Sequence, residues 1–195
     1  MVFRIAKVIG FVIFNILYRI KVTGTANVPK SGGVILCANH ASAMDPIFVS
    51  LAVKRNPRFI AKKELFGNKL SALFFSSLGA FPVNRDNADV TAYKTAIKLL
   101  QNGEALLLFS QGTRQKTIDI SNGKSGAAFF GIKAKVPIVP LGITASYKLF
   151  SRVNVNIGEP IYLDQYYGEK LKTELLNGVT EDIMGQIVGL TGETS

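Results

Sequence analysis

The chain has 195 residues, a length that fits one domain, and no linker, repeat or low-complexity tract divides it. With 48% hydrophobic and 18% charged residues it is apolar for a soluble protein, without the composition of a membrane-spanning one. One cysteine excludes an internal disulfide, and one histidine beside that cysteine is too few for a zinc-type site. We therefore expect neither a disulfide nor a metal.

The charge is distributed unevenly along the chain. Residues 1–158 have a balance of +15 and residues 159–195 a balance of −5, which gives the net charge of +10. A basic body favours an anionic partner, such as a lipid surface, a phosphorylated substrate, an acidic carrier protein or nucleic acid. Since the chain has no RNP-like aromatic run, helix-turn-helix spacing or zinc framework, we expect no nucleic-acid partner.

Residues 1–19 are predicted to form an amphipathic helix in the membrane interface. Their apolar run from Val8 to Phe14 is much shorter than the ~20 residues that a spanning helix needs. A thin cationic stripe on a broad apolar helix suits the headgroup boundary instead. The predicted membrane contacts are Arg4, Lys7, Phe11 and Phe14.

Two other interpretations of this segment stay open. A basic start followed by a short apolar core also describes a secretory signal, although no small-x-small cleavage site follows before Arg19. The segment is also compatible with a buried core helix. Residues 20–195 are predicted to form the folded domain.

Short apolar runs alternate with helical patterns along this domain. The predicted strands are Ile20–Thr23, Val34–Ala38, Arg58–Ala61, Phe81–Asn84, Ala105–Ser110, Ile138–Ile143 and Val153–Gly158. The predicted helices are Pro46–Val53, Lys69–Leu78, Asp89–Gln101 and Lys124–Lys133, with one or two more within Leu163–Leu190. This alternation predicts a single α/β domain with a mixed, mostly parallel sheet flanked by helices.

Polar clusters follow three of the predicted strands. They are Asn39-His40, Asn84-Arg85 and Gln111-Gly112-Thr113-Arg114. Ligands of open α/β sheets bind beyond the carboxyl ends of the strands, so we expect these three clusters to converge on one site.

His40 is the only histidine, and Asp45 lies five residues downstream. A carboxylate that accepts the Nδ1–H bond would fix the tautomer and leave Nε2 free to take a proton from a hydroxyl. The alternative is structural, since Asp before Pro46 is a common helix start. Cys37, three residues before His40, is expected to be a buried thiol; the alternative is a covalent acyl-cysteine.

The cluster after the fifth strand combines a glycine, a hydroxyl and a guanidinium. Gly112 permits a close backbone approach to a ligand, and Thr113 can donate to an anion. Arg85 and Arg114 provide the planar donors that suit a phosphate. The alternative is an ordinary strand-to-helix turn with surface arginines.

Four motifs together resemble those of the glycerolipid acyltransferases. Asn39-His40-x4-Asp45 is similar to their NHxxxxD signature, and the block from Phe81 to Arg85 to their second motif. The block from Phe109 to Arg114 resembles FPEGTRS, and that from Val136 to Gly142 resembles VPIVPV. The resemblance covers residues 20–160 in the family's order, and is greatest to the bacterial 1-acylglycerol-3-phosphate acyltransferases.

The resemblance implies acyl transfer from acyl carrier protein or coenzyme A to the sn-2 hydroxyl of lysophosphatidate, giving phosphatidate. His40 would be the base and Asp45 its orienting partner, with Asn39 and Gln111 positioning the substrate. Arg85, Gly112, Thr113 and Arg114 would bind its phosphate. No cofactor is implied, because the thioester is a co-substrate. The implied location is the cytoplasmic face of the cell membrane, as a peripheral or monotopic protein.

One departure from the family affects the acceptor. Ser110-Gln111 stands where the family has Pro-Glu, so Gln111 keeps hydrogen-bonding capacity without the charge. Glycerol-3-phosphate and other lysophospholipids therefore stay as alternative acceptors. A non-catalytic module that binds anionic lipid is the alternative outside enzymes.

A basic stretch is predicted to help seat the protein on lipid. Residues 54–69 hold six basic side chains and one glutamate, and the apolar segment from Leu70 to Phe75 follows. The alternatives are an acidic carrier protein as partner, a merely solvated basic face, and core positions for Phe74 and Phe75.

Overall fold

The computed structural model describes residues 12–77, 79–83, 90–115 and 117–192. Its strands are β1 (Arg19–Thr23), β2 (Val34–Ala38), β3 (Arg58–Lys62), β4 (Ala80–Val83), β5 (Ala105–Phe109), β6 (Ile138–Ala145) and β7 (Arg152–Ile157). The first helix, α1, is described over residues 12–17. The others are α2 (Asp45–Ala52), α3 (Lys69–Ser77), α4 (Val90–Gln101), α5 (Gly126–Ala134) and α6 (Thr173–Thr191).

The predicted strands and helices are confirmed. Where both ends of a predicted element lie in the described ranges, the observed ends differ from the predicted ones by at most two residues. The acidic tail forms one long helix, α6, after a 3₁₀ turn at Asp164–Tyr166. The apolar runs located the strands because β2 is buried along its whole length, which requires apolar side chains on both faces.

The strands form one mixed sheet in the order β1-β7-β6-β2-β5-β3-β4. The five strands from β6 to β4 in this order are parallel to one another, whereas β7 runs antiparallel to β6 and parallel to β1. The carboxyl ends of β2, β3, β5 and β6 therefore lie at one edge, here called the C-edge. The amino ends of β1 and β7 lie at the same edge.

Alternate residues of the central strands pack into two cores on opposite faces of the sheet. Leu36 and Leu107 face the core that contains Phe48 of α2 and is contacted by Phe14 of α1 and Phe75 of α3. Residues of α4, α5 and α6 cover the other face, where Ile35 and Leu106 are buried. Two-sided burial fixes the register of β2 and β5, and with it the loops that leave the C-edge.

The structure corrects the prediction that Phe14 contacts the membrane. The Phe14 ring stacks on Tyr18 at 6.0 Å and meets Phe48 edge-on at 5.9 Å. Phe14 therefore faces the protein interior, and the exposed apolar residues of α1 are Val12, Ile13 and Ile16. Arg4, Lys7 and Phe11 lie outside the described residues.

The basic stretch at residues 54–69 is divided between the two edges of the sheet. Arg55 lies before β3 and donates to the carbonyl oxygens of Pro29, Gly32 and Gly103, which ties together loops at the edge opposite the C-edge. Lys62 ends β3 at the C-edge and Lys63 follows it, and both are exposed. Arg55 of this stretch therefore has a structural position, whereas Lys62 and Lys63 border the C-edge.

Within the described ranges, we find no helix whose length and hydropathy would suffice to span a bilayer.

Candidate active site

His40 and Asp45 meet at the C-edge, in the loop between β2 and α2. The His40 Nδ1 lies 2.9 Å from the Asp45 Oδ2. An ionised carboxylate can only accept, so Nδ1 carries the proton in this contact. Nε2 then has its lone pair free, and it makes no hydrogen bond to any residue in the described ranges. The histidine side chain is 15% exposed, so a ligand can reach it.

Asp45 contacts His40 and also stands at the start of α2, where the cap residue is Met44 and no side chain among the described residues makes a capping hydrogen bond. Its Oδ2 also accepts from the backbone N–H of Ala41 at 2.8 Å and of Ser42 at 2.7 Å. The carboxylate is fully buried, and these donors compensate for its lost hydration.

The imidazole of His40 is also held from its face. The ring of Phe109, the last residue of β5, stacks on it with centroids 3.8 Å apart and planes 18° apart. Because β2 and β5 are adjacent and parallel, Ala38 pairs with Phe109 and brings the two rings to the same height. The motif that contains Phe109 predicts no role for this residue, because the pairing of β2 with β5 depends on the strand order and not on the motif.

Asn39 connects β2 to β6. Its Nδ2 donates to the Ile143 carbonyl oxygen at 2.9 Å, and its Oδ1 accepts from the Ile143 N–H at 2.7 Å. Both ends of the amide are thus bound to backbone, and the side chain is buried. Asn39 thus fixes the strand end from which His40 projects, and its substrate-positioning role stays a prediction.

The loop after β5 lies against the histidine loop. The Ser110 N–H donates to the Ala38 carbonyl at 2.9 Å, and the Gln115 N–H donates to the His40 carbonyl at 2.8 Å. Between these two contacts lie Gly112, Thr113 and Arg114, all exposed. Gly112 has a φ of 70°, the left-handed conformation that glycine adopts without strain.

Two buried oxygens of this loop have no hydrogen-bond partner among the described residues. They are Ser110 Oγ and Gln111 Oε1. The Gln111 Nε2 donates to Gln115 Oε1 at 2.9 Å and to the Thr117 carbonyl at 3.2 Å, which fixes the orientation of the amide. The Gln111 amide is therefore held inside this loop, and its substrate-positioning role stays a prediction.

The predicted cluster Asn84-Arg85 lies outside the described residues, in the segment 84–89, and Arg85 is the other predicted phosphate ligand. Cys37 is buried, and its burial raises the pKa of its thiol to about 12. A thiol with so high a pKa is a poor nucleophile near neutral pH, which argues against an acyl-cysteine.

Tyr147 is a site residue that the sequence did not reveal. Its hydroxyl donates to Asp45 Oδ1 at 2.8 Å from the loop after β6. Burial, followed by the charge and hydrogen bond of Asp45, raises the pKa of Tyr147 well above its ordinary value, so the phenol remains a donor. No motif contains it, and 102 residues separate it from Asp45.

Comparisons with known proteins find related sequences over most of the chain. The sequence profile of the family described as Acyltransferase matches residues 19–144. A Bacillus subtilis (strain 168) protein named 1-acyl-sn-glycerol-3-phosphate acyltransferase is 33% identical over 157 residues, covering 77% of this chain and 78% of the relative. A protein of the same name from Streptococcus pneumoniae is 32% identical over 167 residues, covering 82% of this chain and 61% of the relative.

A solved structure has the same fold. It is described as the 1-acyl-sn-glycerophosphate (LPA) acyltransferase PlsC from Thermotoga maritima, and it matches with a TM-score of 0.77 at 25% identity. The match covers 100% of this chain and 81% of that one.

We expect Asn39→Ala to lower the free energy of unfolding by about 3 kcal/mol, because a buried N–H and a buried carbonyl of Ile143 would both lose their partner. Urea denaturation followed by circular dichroism measures this. Asn102→Ala, at an exposed position, is the control and should change stability by less than about 0.5 kcal/mol. Equal stability of the two variants would contradict the structural role of Asn39.

Proposed function

This chain belongs to the acyltransferase family, and we propose that it transfers a fatty acyl group from an acyl thioester to the sn-2 hydroxyl of lysophosphatidate. The product is phosphatidate, and the donor is an acyl carrier protein or coenzyme A thioester. The observation that carries the proposal is the 2.9 Å contact between His40 Nδ1 and Asp45 Oδ2, which leaves Nε2 free, in a loop that is hydrogen bonded to the segment carrying Arg114. The printed names of the relatives support lysophosphatidate as the acceptor.

The reaction follows from this geometry. The His40 Nε2 takes the proton of the lipid hydroxyl as its oxygen attacks the thioester carbonyl carbon. The carbon–sulfur bond then breaks, and the leaving thiolate takes the proton from the imidazolium, which gives a free thiol and the new ester. Asp45 holds the imidazole in the required tautomer and stabilises its cationic form. The proposal needs neither an acyl-enzyme nor a cofactor.

Phosphate recognition is assigned to the loop after β5. Arg114 is exposed in a segment whose two ends are hydrogen bonded to the β2 end and to His40. A guanidinium offers two parallel donors to a phosphate. Gly112 has no side chain, so the lipid headgroup could approach the backbone closely at this position. Arg85 remains the second proposed phosphate ligand.

One experiment identifies both the acyl acceptor and the acyl donor. Purified protein is given acyl carrier protein and coenzyme A thioesters, each with lysophosphatidate and with glycerol-3-phosphate, and thiol release is measured. We expect rapid release with lysophosphatidate and a decrease of about 10²- to 10⁴-fold in kcat for His40→Ala with folding unchanged by circular dichroism. Cys37→Ala is the control for an acyl-cysteine route and should keep its activity.

The outcomes of this experiment are distinct. A preference for glycerol-3-phosphate would show that the acceptor differs from the proposed one, while the reaction would still be acyl transfer. Absence of thiol release with every pair, together with binding to anionic vesicles, would favour the non-catalytic lipid-binding module. Near-normal turnover by His40→Ala would end the general-base proposal.

Exposed apolar side chains flank the site and support a membrane-bound location. On one side, Ile16 of α1 is 66% exposed and Phe150, in the loop between β6 and β7, is 63% exposed. On the other side, Leu70 and Leu73 at the start of α3 are 80% and 70% exposed. Five exposed cationic side chains accompany these two groups, namely Lys62, Lys63, Lys69, Lys148 and Arg152.

The topology brings both groups to the edge that carries His40. Helix α1 leads into the amino end of β1, the 146–151 loop leaves β6, and Lys62 ends β3, all at the C-edge. Exposed apolar residues surrounded by cations are typical of binding to an anionic interface. The proposed location is the cytoplasmic face of the cell membrane, where water-soluble thioesters meet the lipid acceptor.

We expect Leu70→Ser with Leu73→Ser to weaken binding to vesicles of phosphatidylglycerol and phosphatidylcholine by at least about tenfold, since each leucine would otherwise bury its side chain in lipid. Cosedimentation measures this. Tyr162→Ser is the matched control: it is 60% exposed, next to Ile161, which pairs with Ile138 at the opposite edge of the sheet. Equal binding by the double variant and the control would contradict this membrane surface.

A further inference from the structure

The two oxygens of the Asp45 carboxylate have very different partners. Three donors bind Oδ2, namely His40 Nδ1 and the backbone N–H groups of Ala41 and Ser42, all within five residues in sequence. Oδ1 accepts from the Tyr147 hydroxyl alone among the described residues. Because Asp45 is fully buried, loss of that hydroxyl would leave an anionic oxygen without a donor.

Tyr147 is held in an unfavourable backbone conformation. Its φ is 58°, in the left-handed region that a bulky side chain rarely adopts. Such a conformation persists only where the surrounding structure imposes it, and residues of this kind are concentrated at functional sites.

The loop that carries Tyr147 is hydrogen bonded to α1 and to β1. The Phe150 N–H donates to the Leu17 carbonyl at 2.7 Å, and the Arg19 N–H donates to the Ser151 carbonyl at 2.9 Å. The Tyr147 ring lies 6.4 Å from the ring of Phe48, which belongs to α2, the helix that begins with Asp45. The tyrosine therefore reaches the carboxylate from a loop attached to α1 and β1.

We propose that Tyr147 is a positioning residue for the acyl transfer: its hydroxyl holds Asp45 Oδ1, so that Oδ2 stays aligned with His40 Nδ1. This role rests on the proposed function. Without the hydroxyl, the carboxylate turns to share its three remaining donors between both oxygens, and the imidazole loses its fixed orientation. Tyr147 acts on the proton transfer and has no role in holding the lipid phosphate.

Tyr147→Phe tests the proposal because it removes only the hydroxyl and keeps the ring against Phe48. We expect kcat to fall about tenfold, the effect of losing one hydrogen bond to a charged group, with KM for both substrates changed less than about twofold. A second readout does not depend on turnover. His40 is the only histidine, so its Nδ1–H proton gives a single imidazole resonance by NMR, and we expect this resonance to move in Tyr147→Phe.

Tyr18→Phe is the matched control. It also loses a phenol hydroxyl, and its ring lies 5.3 Å from the same Phe48, but its hydroxyl contacts Met44 Sδ and not Asp45. We expect wild-type kcat and an unmoved resonance in this variant. An unchanged kcat and resonance in Tyr147→Phe would overturn the proposal, whereas absence of turnover in the wild type would overturn only the proposed function.

Discussion

The buried carboxylate of Asp45 is the group on which the site depends. It is removed from water in a basic protein, and it is stable there because four donors surround it. Those donors come from the histidine loop and from the loop after β6. The same contacts that compensate for burial also orient His40. Stability of the charge and geometry of the base therefore have one physical cause.

The parallel sheet explains how distant segments meet at this carboxylate. The loops after β2, β5 and β6 all leave the C-edge, and the register of the buried strands sets their heights. Phe109 thus stacks on His40, and Asn39 binds Ile143 across the neighbouring strand. Exposed apolar residues lie on both sides of the same edge, which supports the proposal that lipid reaches the site from a membrane surface.

The sequence predicted the strands and the His40–Asp45 pair because both signals are local. Apolar runs fix a two-sided buried strand, and five residues separate the histidine from the aspartate. It did not predict Tyr147 or the inward direction of Phe14, since these depend on contacts between segments far apart in the chain. Asn39 was associated with substrate, but its amide is bound to Ile143, a partner that only the strand order reveals.

The protonation state of the His40 imidazole is the most direct test of its proposed role as the base. Nitrogen-15 NMR of the sole histidine distinguishes the two neutral tautomers. At a pH where the imidazole is neutral, we expect a protonated Nδ1, bonded to Asp45, and an unprotonated Nε2. A proton on Nε2 would contradict this, because that nitrogen would then lack the lone pair that accepts the substrate proton. An Nδ1 proton that exchanges as freely as in an unfolded chain would also contradict it, because the bond to Asp45 would then be absent.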